Sequence, residues 1–126
     1  MTDLSHSAKF FGAAGGAGLF LGVAFGAFAA HALRTRISSE MAGIFETGVR
    51  YQLYHSLALL AVALLADKGK MFRYAGAFYI AGIVLFSFSL YALALTGVDG
   101  LGIITPFGGV SFLAGHALLL AGFLKL

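Results

Sequence analysis

The chain has 126 residues, of which 60% are hydrophobic and 10% charged, and it contains no cysteine. An ordinary soluble domain carries about 25% charged residues, so this composition excludes a soluble protein of this size. The lack of cysteine excludes disulfides, thiolate zinc sites and iron–sulfur clusters. The net charge of +3 arises mainly in short connections between apolar runs, where cations meet lipid headgroups, and we expect no nucleic-acid partner.

Four apolar runs dominate the chain, at about residues 10–32, 48–66, 72–97 and 105–124. A helix of about 20 apolar residues crosses the hydrocarbon core of a bilayer, which is about 30 Å thick, and satisfies its own backbone hydrogen bonds there. The sequence therefore predicts an all-α, polytopic membrane protein that forms one domain over residues 1–126. The lipid bilayer is its first expected partner.

The first span carries small residues at every fourth position. Ala14, Gly18, Gly22, Gly26 and Ala30 share one face of a helix. Such a face lets two helix backbones approach closely in lipid. We therefore predict that Gly18, Gly22 and Gly26 pack against another helix.

Residues 38–49 follow a different pattern, in which apolar residues recur at helical spacing among charged and small ones. Ser38 is a suitable N-cap, and Glu40 is favourable in the first turn. This pattern predicts one amphipathic helix that lies in the membrane interface between the first two spans. The helix is expected to bend near Gly48 and run on into the second span.

The fourth span combines a helix-start signal with a glycine repeat. Thr105 precedes Pro106, an order that predicts a threonine N-cap followed by proline at the first helical position. Gly108, Gly115 and Gly122 then recur at seven-residue spacing. They indicate a second close-packed helix face.

Four spans place both termini and the second loop on the same side. That side carries five cations and the other side three: Lys9, Lys68, Lys70, Arg73 and Lys125 against Arg34, Arg36 and Arg50. Positive loops favour the cytoplasm. We therefore expect both termini to be cytoplasmic.

Polar side chains at membrane depth are candidates for a functional site, because leaving them unpaired is costly. On this topology they gather near the side opposite the termini: His31, Arg50, Tyr51, Gln52, His55, Tyr91 and Thr105. Two interpretations stay open. The residues form either an interfacial network that orders the loops or a shallow pocket for a lipid headgroup, a quinone or a proton.

His116 is predicted to lie apart from this cluster, near the middle of the bilayer. A haem held by His55 and His116 would need both rings at similar depth, and the sequence places His55 only about one turn inside the interface. We therefore expect no bound cofactor or metal, and a packing role for His116. No catalytic triad or carboxylate pair is visible, so we expect no enzymatic activity.

Four segments occur in a distinctive order: residues 26–33 (GAFAAHAL), 45–52 (FETGVRYQ) with His55, 84–91 (VLFSFSLY) and 105–112 (TPFGGVSF). Together they resemble the YgdD/YwdK family of small bacterial inner-membrane proteins of uncharacterised function, which has mitochondrial relatives. The resemblance implies a four-helix protein of the bacterial cytoplasmic membrane and brings no activity with it. Two positions depart from the family pattern, since Ala29 replaces a glycine and His116 replaces a tryptophan.

Two functions are compatible with these features. The first is a non-enzymatic accessory or stabilising partner that acts through helix packing, as a homo-oligomer or within a larger membrane complex. The second is a binder of a lipid, quinone or other small hydrophobic molecule at the polar cluster near His31 and His55. A channel or proton path is disfavoured, because no acidic residue lies in the middle of a span.

Overall fold

The computed structural model describes residues 3–126 and consists of four long helices. They are α1 (His6–Leu33), α2 (Ser39–Leu65), α3 (Lys70–Thr96) and α4 (Thr105–Leu124), with a short 3₁₀ helix (Asp99–Ile103) before α4. Each of the four is long and apolar enough to cross a membrane, and no strand occurs within residues 3–126. The predicted all-α architecture with four membrane-spanning helices is confirmed.

Serine side chains cap the first two helices. The Ala8 backbone N–H donates to Ser5 Oγ over 3.1 Å, so α1 begins at His6, ahead of the predicted span. The Met41 backbone N–H donates to Ser38 Oγ over 3.1 Å, which confirms the predicted cap. Each cap satisfies one of the backbone donors left free in a first helical turn.

Helix α2 runs without interruption over Ser39–Leu65. The segment predicted as an interfacial helix, residues 38–49, therefore forms the first turns of α2 and not a separate element. Its apolar positions Phe45 and Val49 are buried in a cluster with Tyr91 and Leu33, so part of its apolar face packs inside the protein. The position of this segment in the membrane interface stays a prediction.

Helices α3 and α4 pack through two matching seven-residue repeats. Aromatic residues on α3 lie against glycines on α4: a Cβ atom added at Gly122 or Gly115 would contact an aromatic ring, and one added at Gly108 would contact the backbone and Cβ atom of Phe86. The pairs are Phe72 with Gly122, Tyr79 with Gly115 and Phe86 with Gly108. A seven-residue repeat keeps one helix face turned toward its neighbour, so this seam runs from Phe72 to Phe86 on α3 and from Gly108 to Gly122 on α4.

Helices α1 and α2 form the second tight pair. Gly18, Gly22 and Gly26 of α1 face Ser56, Leu53 and Val49 of α2, respectively. Close approach of this kind strengthens helix association in lipid through dispersion contacts. The predicted glycine faces on α1 and α4 are thus both used within this chain.

The start of α4 differs from its prediction. Thr105 is the first residue of the helix and makes no side-chain cap; its hydroxyl instead hydrogen-bonds the Ser89 hydroxyl of α3 over 2.6 Å. The connection between α3 and α4 contains the 3₁₀ helix. It follows Gly97, which ends α3 with a φ of +71°, a conformation that glycine adopts at no steric cost.

A π-helical turn interrupts the middle of α3 at Ile83–Ser87. Ser87 Oγ donates to the Gly48 carbonyl of α2 over 2.7 Å. Turns of this kind occur often at functional sites. This one connects the α1–α2 pair to the α3–α4 pair.

Candidate functional site

The structure does not bring the seven predicted polar residues together. Five of them divide among three separate contacts, and two lie outside these contacts. Gln52 and Tyr91 meet α1, His55 and Tyr51 face α4, and Thr105 meets Ser89. His31 and Arg50 are exposed.

The first contact joins three helices through Gln52, which is 1% exposed. Gln52 Nε2 donates to the Gly18 carbonyl over 2.9 Å, and the Tyr91 hydroxyl donates to Gln52 Oε1 over 2.7 Å. Both ends of the amide are therefore paired. A buried polar group of this kind holds α1, α2 and α3 in register.

Beside Gln52, the Ser56 hydroxyl has no conventional hydrogen-bond partner within residues 3–126. The hydroxyl points at the backbone of Gly18. A Cβ atom added at Gly18 would clash with the Ser56 hydroxyl. A weak Cα–H···O contact is the interaction available at such a short helix–helix distance. Ser56 therefore belongs to the α1–α2 seam.

The second contact is a chain of hydrogen bonds that sequence reasoning missed. His55 Nε2 lies 3.0 Å from His116 Nε2, and His116 Nδ1 lies 2.8 Å from the Tyr79 hydroxyl. The prediction that His116 lies apart from His55 is therefore wrong. The hydrogen bond fixes both rings at one depth, and nitrogens this close leave no space for an iron between them.

The hydrogen bond between His55 and the Tyr51 carbonyl sets the proton positions in this chain. His55 Nδ1 lies 2.7 Å from the Tyr51 carbonyl, which can only accept, so Nδ1 carries a proton. With both rings neutral, His55 Nε2 then accepts from His116 Nε2–H, and His116 Nδ1 accepts from the Tyr79 hydroxyl. Every polar atom of the two imidazoles is satisfied without a charge.

Tight packing holds two members of the chain in place. His55 is 4% exposed and Tyr79 is 0% exposed. The His55 ring stacks on Phe112 of α4 with centroids 3.5 Å apart and planes 7° apart. His116, in contrast, is exposed on the outer surface of α4.

The exposed edge of this chain lies in a groove between α2 and α4, which we call the His55 groove. Its volume is about 440 Å³. Its walls are aromatic and polar: Tyr51, Tyr54, His55, Phe86, Gly109, Phe112, Leu113 and His116. The side of α4 next to it exposes Phe107 and Val110, so the groove opens toward the surroundings of the bundle.

His55 and His116 lie far from the ends of α2 and α4. At 1.5 Å per residue, His116 is about 12 Å from the Leu124 end of α4 and about 16 Å from the Thr105 end. His55 is about 15 Å from the Leu65 end of α2. The polar chain is therefore near the middle of the bundle and not one turn from its edge.

One sequence signal could have located this site. Tyr79 is the central member of the aromatic repeat on α3, and Gly115 is the central member of the glycine repeat on α4. Pairing the two repeats puts His116, the neighbour of Gly115, beside Tyr79. Within residues 3–126 no group of three or more His, Cys, Asp or Glu side chains converges on a possible metal position.

These features define a polytopic helical membrane protein with a polar chain beside an outward-facing groove. Residues 25–109 match the family described as "Protein of unknown function (DUF423)", and the chain belongs to this family. The resemblance predicted from the sequence is thus confirmed.

Named relatives agree with this assignment. The chain is 44% identical over 109 residues to the UPF0382 membrane protein YwdK of Bacillus subtilis, covering 83% of this chain and 88% of that protein. It is 43% identical over 109 residues to the UPF0382 inner membrane protein YgdD of Escherichia coli K12, covering 85% and 83%. It is 39% identical over 118 residues to the UPF0382 membrane protein SAB0533 of Staphylococcus aureus, covering 93% and 97%. No solved structure matches the chain.

Proposed function

We propose that this protein is a non-enzymatic membrane protein that binds a small lipid-soluble molecule in the His55 groove. The observation that carries this proposal is the hydrogen-bonded chain His55–His116–Tyr79, whose exposed member, His116, lines the His55 groove. Polar groups at membrane depth are costly. The chain satisfies its own hydrogen bonds, so what it offers a ligand is the exposed ring of His116, beside the phenols of Tyr51 and Tyr54.

The lining of the groove supports the same proposal. Tyr51 and Tyr54 are 36% and 54% exposed, and both line the groove. Binding sites for small molecules combine apolar and aromatic walls with a few polar groups that orient the ligand. The His55 groove has both components.

The glycine faces favour ligand binding over the accessory function. Gly18, Gly22 and Gly26 are occupied by α2, and Gly108, Gly115 and Gly122 by α3. These faces are therefore taken up within the fold. They offer little surface for docking a second protein.

The test uses two substitutions of the same kind. Gly109 lines the groove, and a Cβ atom there would meet only the Phe86 ring, at 4.0 Å. Gly109→Leu is therefore expected to fill the groove without disturbing the core. Native mass spectrometry of protein extracted in mild detergent should find a retained small molecule on the wild type and at least tenfold less on Gly109→Leu.

Gly16→Leu is the matched control, since nothing lies within 4 Å of a Cβ atom at Gly16 on the outer side of α1. It should retain the molecule at the wild-type level. Wild-type protein that carries no small molecule, or equal amounts on wild type and Gly109→Leu, would contradict the proposal.

A second candidate function, the accessory partner, is supported by the outward face of α1. This face exposes five small residues beside the larger Phe20 and Val23: Ala13, Gly16, Ala17, Ala24 and Ala27. Small residues on a lipid-facing side permit close contact with a further helix. The partner would be a second copy of this chain or a subunit of a larger membrane complex.

The same two variants separate the two functions. Chemical crosslinking in native membranes should yield a specific adduct that Gly16→Leu abolishes and Gly109→Leu leaves unchanged, if α1 docks a partner. If neither the wild type nor the two variants formed a crosslinked adduct, the accessory function would be ruled out.

We further propose that both termini face the cytoplasm, because the side that they share carries more cations than the other. A green fluorescent protein fused to the C-terminus should fluoresce, and an alkaline phosphatase fused at the same place should be inactive. The opposite pair of results would reverse the orientation.

A further inference from the structure

We infer that the molecule bound in the His55 groove is a planar, uncharged ring that carries carbonyl oxygens, which is the chemistry of a quinone. This inference rests on the proposed function and narrows its ligand to one class. Four properties of the groove lead to it: its depth, its lack of charged lining residues, its phenol donors and its aromatic wall.

Depth separates a quinone from a phospholipid. The phosphate and ester groups of a phospholipid lie in the interfacial layers outside the roughly 30 Å hydrocarbon core. His116 lies about 12 Å from the nearer end of α4, among the acyl chains of a phospholipid. A ligand recognised by polar groups there must bring its own polar atoms into the core, and an uncharged ring with carbonyl groups does so at low cost.

The lack of charge excludes anionic ligands. None of the described residues that line the groove is Asp, Glu, Lys or Arg. The hydrogen-bond pattern of the His55–His116–Tyr79 chain is complete with both imidazoles neutral. A carboxylate or phosphate would find no counter-charge among these lining residues and would be costly to bury against them. Arg50, one turn before Tyr54 on α2, is exposed and does not line the groove.

The available donors match carbonyl acceptors. Both nitrogens of each imidazole already have partners. The phenol groups of Tyr51 and Tyr54, whose ring centroids are 5.7 Å apart, line the groove. A phenol hydroxyl can donate to a carbonyl oxygen. Tyr51 and Tyr54 are therefore the residues that would hold the head of the ligand.

The walls match a flat ring. The His55 and Phe112 planes are 7° apart, and the Tyr51 plane is 15° from that of His55 and 21° from that of Phe112. His55 and Phe112 are each 4% exposed and cover each other's faces, so the ring of these three that is open to a ligand is Tyr51, which is 36% exposed. A planar conjugated ring stacks favourably on an aromatic ring. A flexible acyl chain gains no such stacking.

The experiment compares two photoreactive probes on protein in nanodiscs of synthetic phosphatidylcholine: a quinone with a photoreactive tail and a phosphatidylcholine with a photoreactive acyl chain. Labelled peptides are mapped by mass spectrometry. We expect the quinone probe to label the groove segments of α2 and α4. An excess of unlabelled decylubiquinone should lower that labelling at least tenfold.

The variants test the two phenols. The double variant Tyr51→Phe with Tyr54→Phe keeps both rings and removes both hydroxyls. It should weaken binding of the quinone probe about tenfold, since one hydrogen bond contributes about 0.5–1.5 kcal/mol and 1.4 kcal/mol is a factor of ten. Tyr74→Phe is the control, because Tyr74 is exposed near the start of α3 and lies outside the groove.

Each of the other possible outcomes would overturn the quinone inference. Groove labelling by the phosphatidylcholine probe alone, above the level on the outer face of α1, would overturn the quinone inference and leave the proposed binding function standing. Labelling of the groove by neither probe, above the level on the outer face of α1, would overturn both. Equal quinone labelling of the wild type and the double tyrosine variant would also overturn the inference, because recognition would then not involve a carbonyl.

Discussion

Replacing Gly108 by alanine is expected to lower the free energy of unfolding by about 3 kcal/mol, at the upper end of what overpacking costs. A Cβ atom at Gly108 would lie 2.6 Å from Phe86 Cβ and 2.7 Å from the Leu85 carbonyl carbon. These are atoms of the α3 main chain and its first side-chain position, which cannot rotate away. The only relief is to separate α3 from α4.

Unfolding by sodium dodecyl sulfate, titrated into mild detergent and followed by circular dichroism, measures this loss. Gly16→Ala is the control, because the same added methyl group meets nothing within 4 Å. Alanine also favours a helix over glycine by up to about 1 kcal/mol, so the control should equal or exceed the wild type. Equal stability of Gly108→Ala and Gly16→Ala would show that the α3–α4 seam is looser than described.

Replacing Gln52 by alanine is expected to cost about 3 kcal/mol, through a cavity and two lost hydrogen bonds. Truncation of a large buried side chain costs about 2–5 kcal/mol. The substitution would also leave the Tyr91 hydroxyl without its acceptor and the Gly18 carbonyl without its side-chain donor. The loss should appear in the same detergent unfolding experiment.

Gln52→Met separates the two contributions, because methionine has a similar volume and no amide. Hydrogen bonds between helices in a membrane contribute about 0.6 kcal/mol each on average, so this variant should lose only about 1 kcal/mol. If Gln52→Met were as unstable as Gln52→Ala, the hydrogen bonds and not the packing would dominate. Wild-type stability of Gln52→Ala would remove Gln52 from the account of the fold.

The four spans could be predicted because each is a local pattern: a run of apolar residues long enough to cross a bilayer. The caps and the glycine faces are local as well. The continuity of α2 was harder to predict. Its first turns mix charged and apolar residues, a pattern that indicates a helix lying in the membrane interface. The structure instead buries Phe45 and Val49 against Tyr91, about 40 residues further along the chain.

The site could be predicted only in part, because it depends on which helix faces which. Tyr51, Gln52 and His55 lie within four residues of the sequence, yet Gln52 faces α1 and His55 faces α4. A difference of three residues turns a side chain by about 60° around the helix, which is enough to place the two in different contacts. The partners of His55 are 61 residues away, at His116, and 24 residues away, at Tyr79.

The pairing of Phe72, Tyr79 and Phe86 with three glycines of α4 shows which faces of α3 and α4 meet. It sets the register of α3 against α4 and places His116 next to Tyr79. The packing of the helices and the proposed binding site therefore depend on the same seam. A change that loosens the seam, such as Gly108→Ala, should also reduce the amount of bound molecule.

The most direct measurement is a structure of the protein extracted together with its native lipids. It should show density for a flat, ordered molecule in the groove between α2 and α4, within hydrogen-bonding distance of Tyr51 or Tyr54 and against the ring of His116. A groove closed by its own side chains, or occupied only by the mobile acyl chains that cover the rest of the bundle, would contradict the proposal.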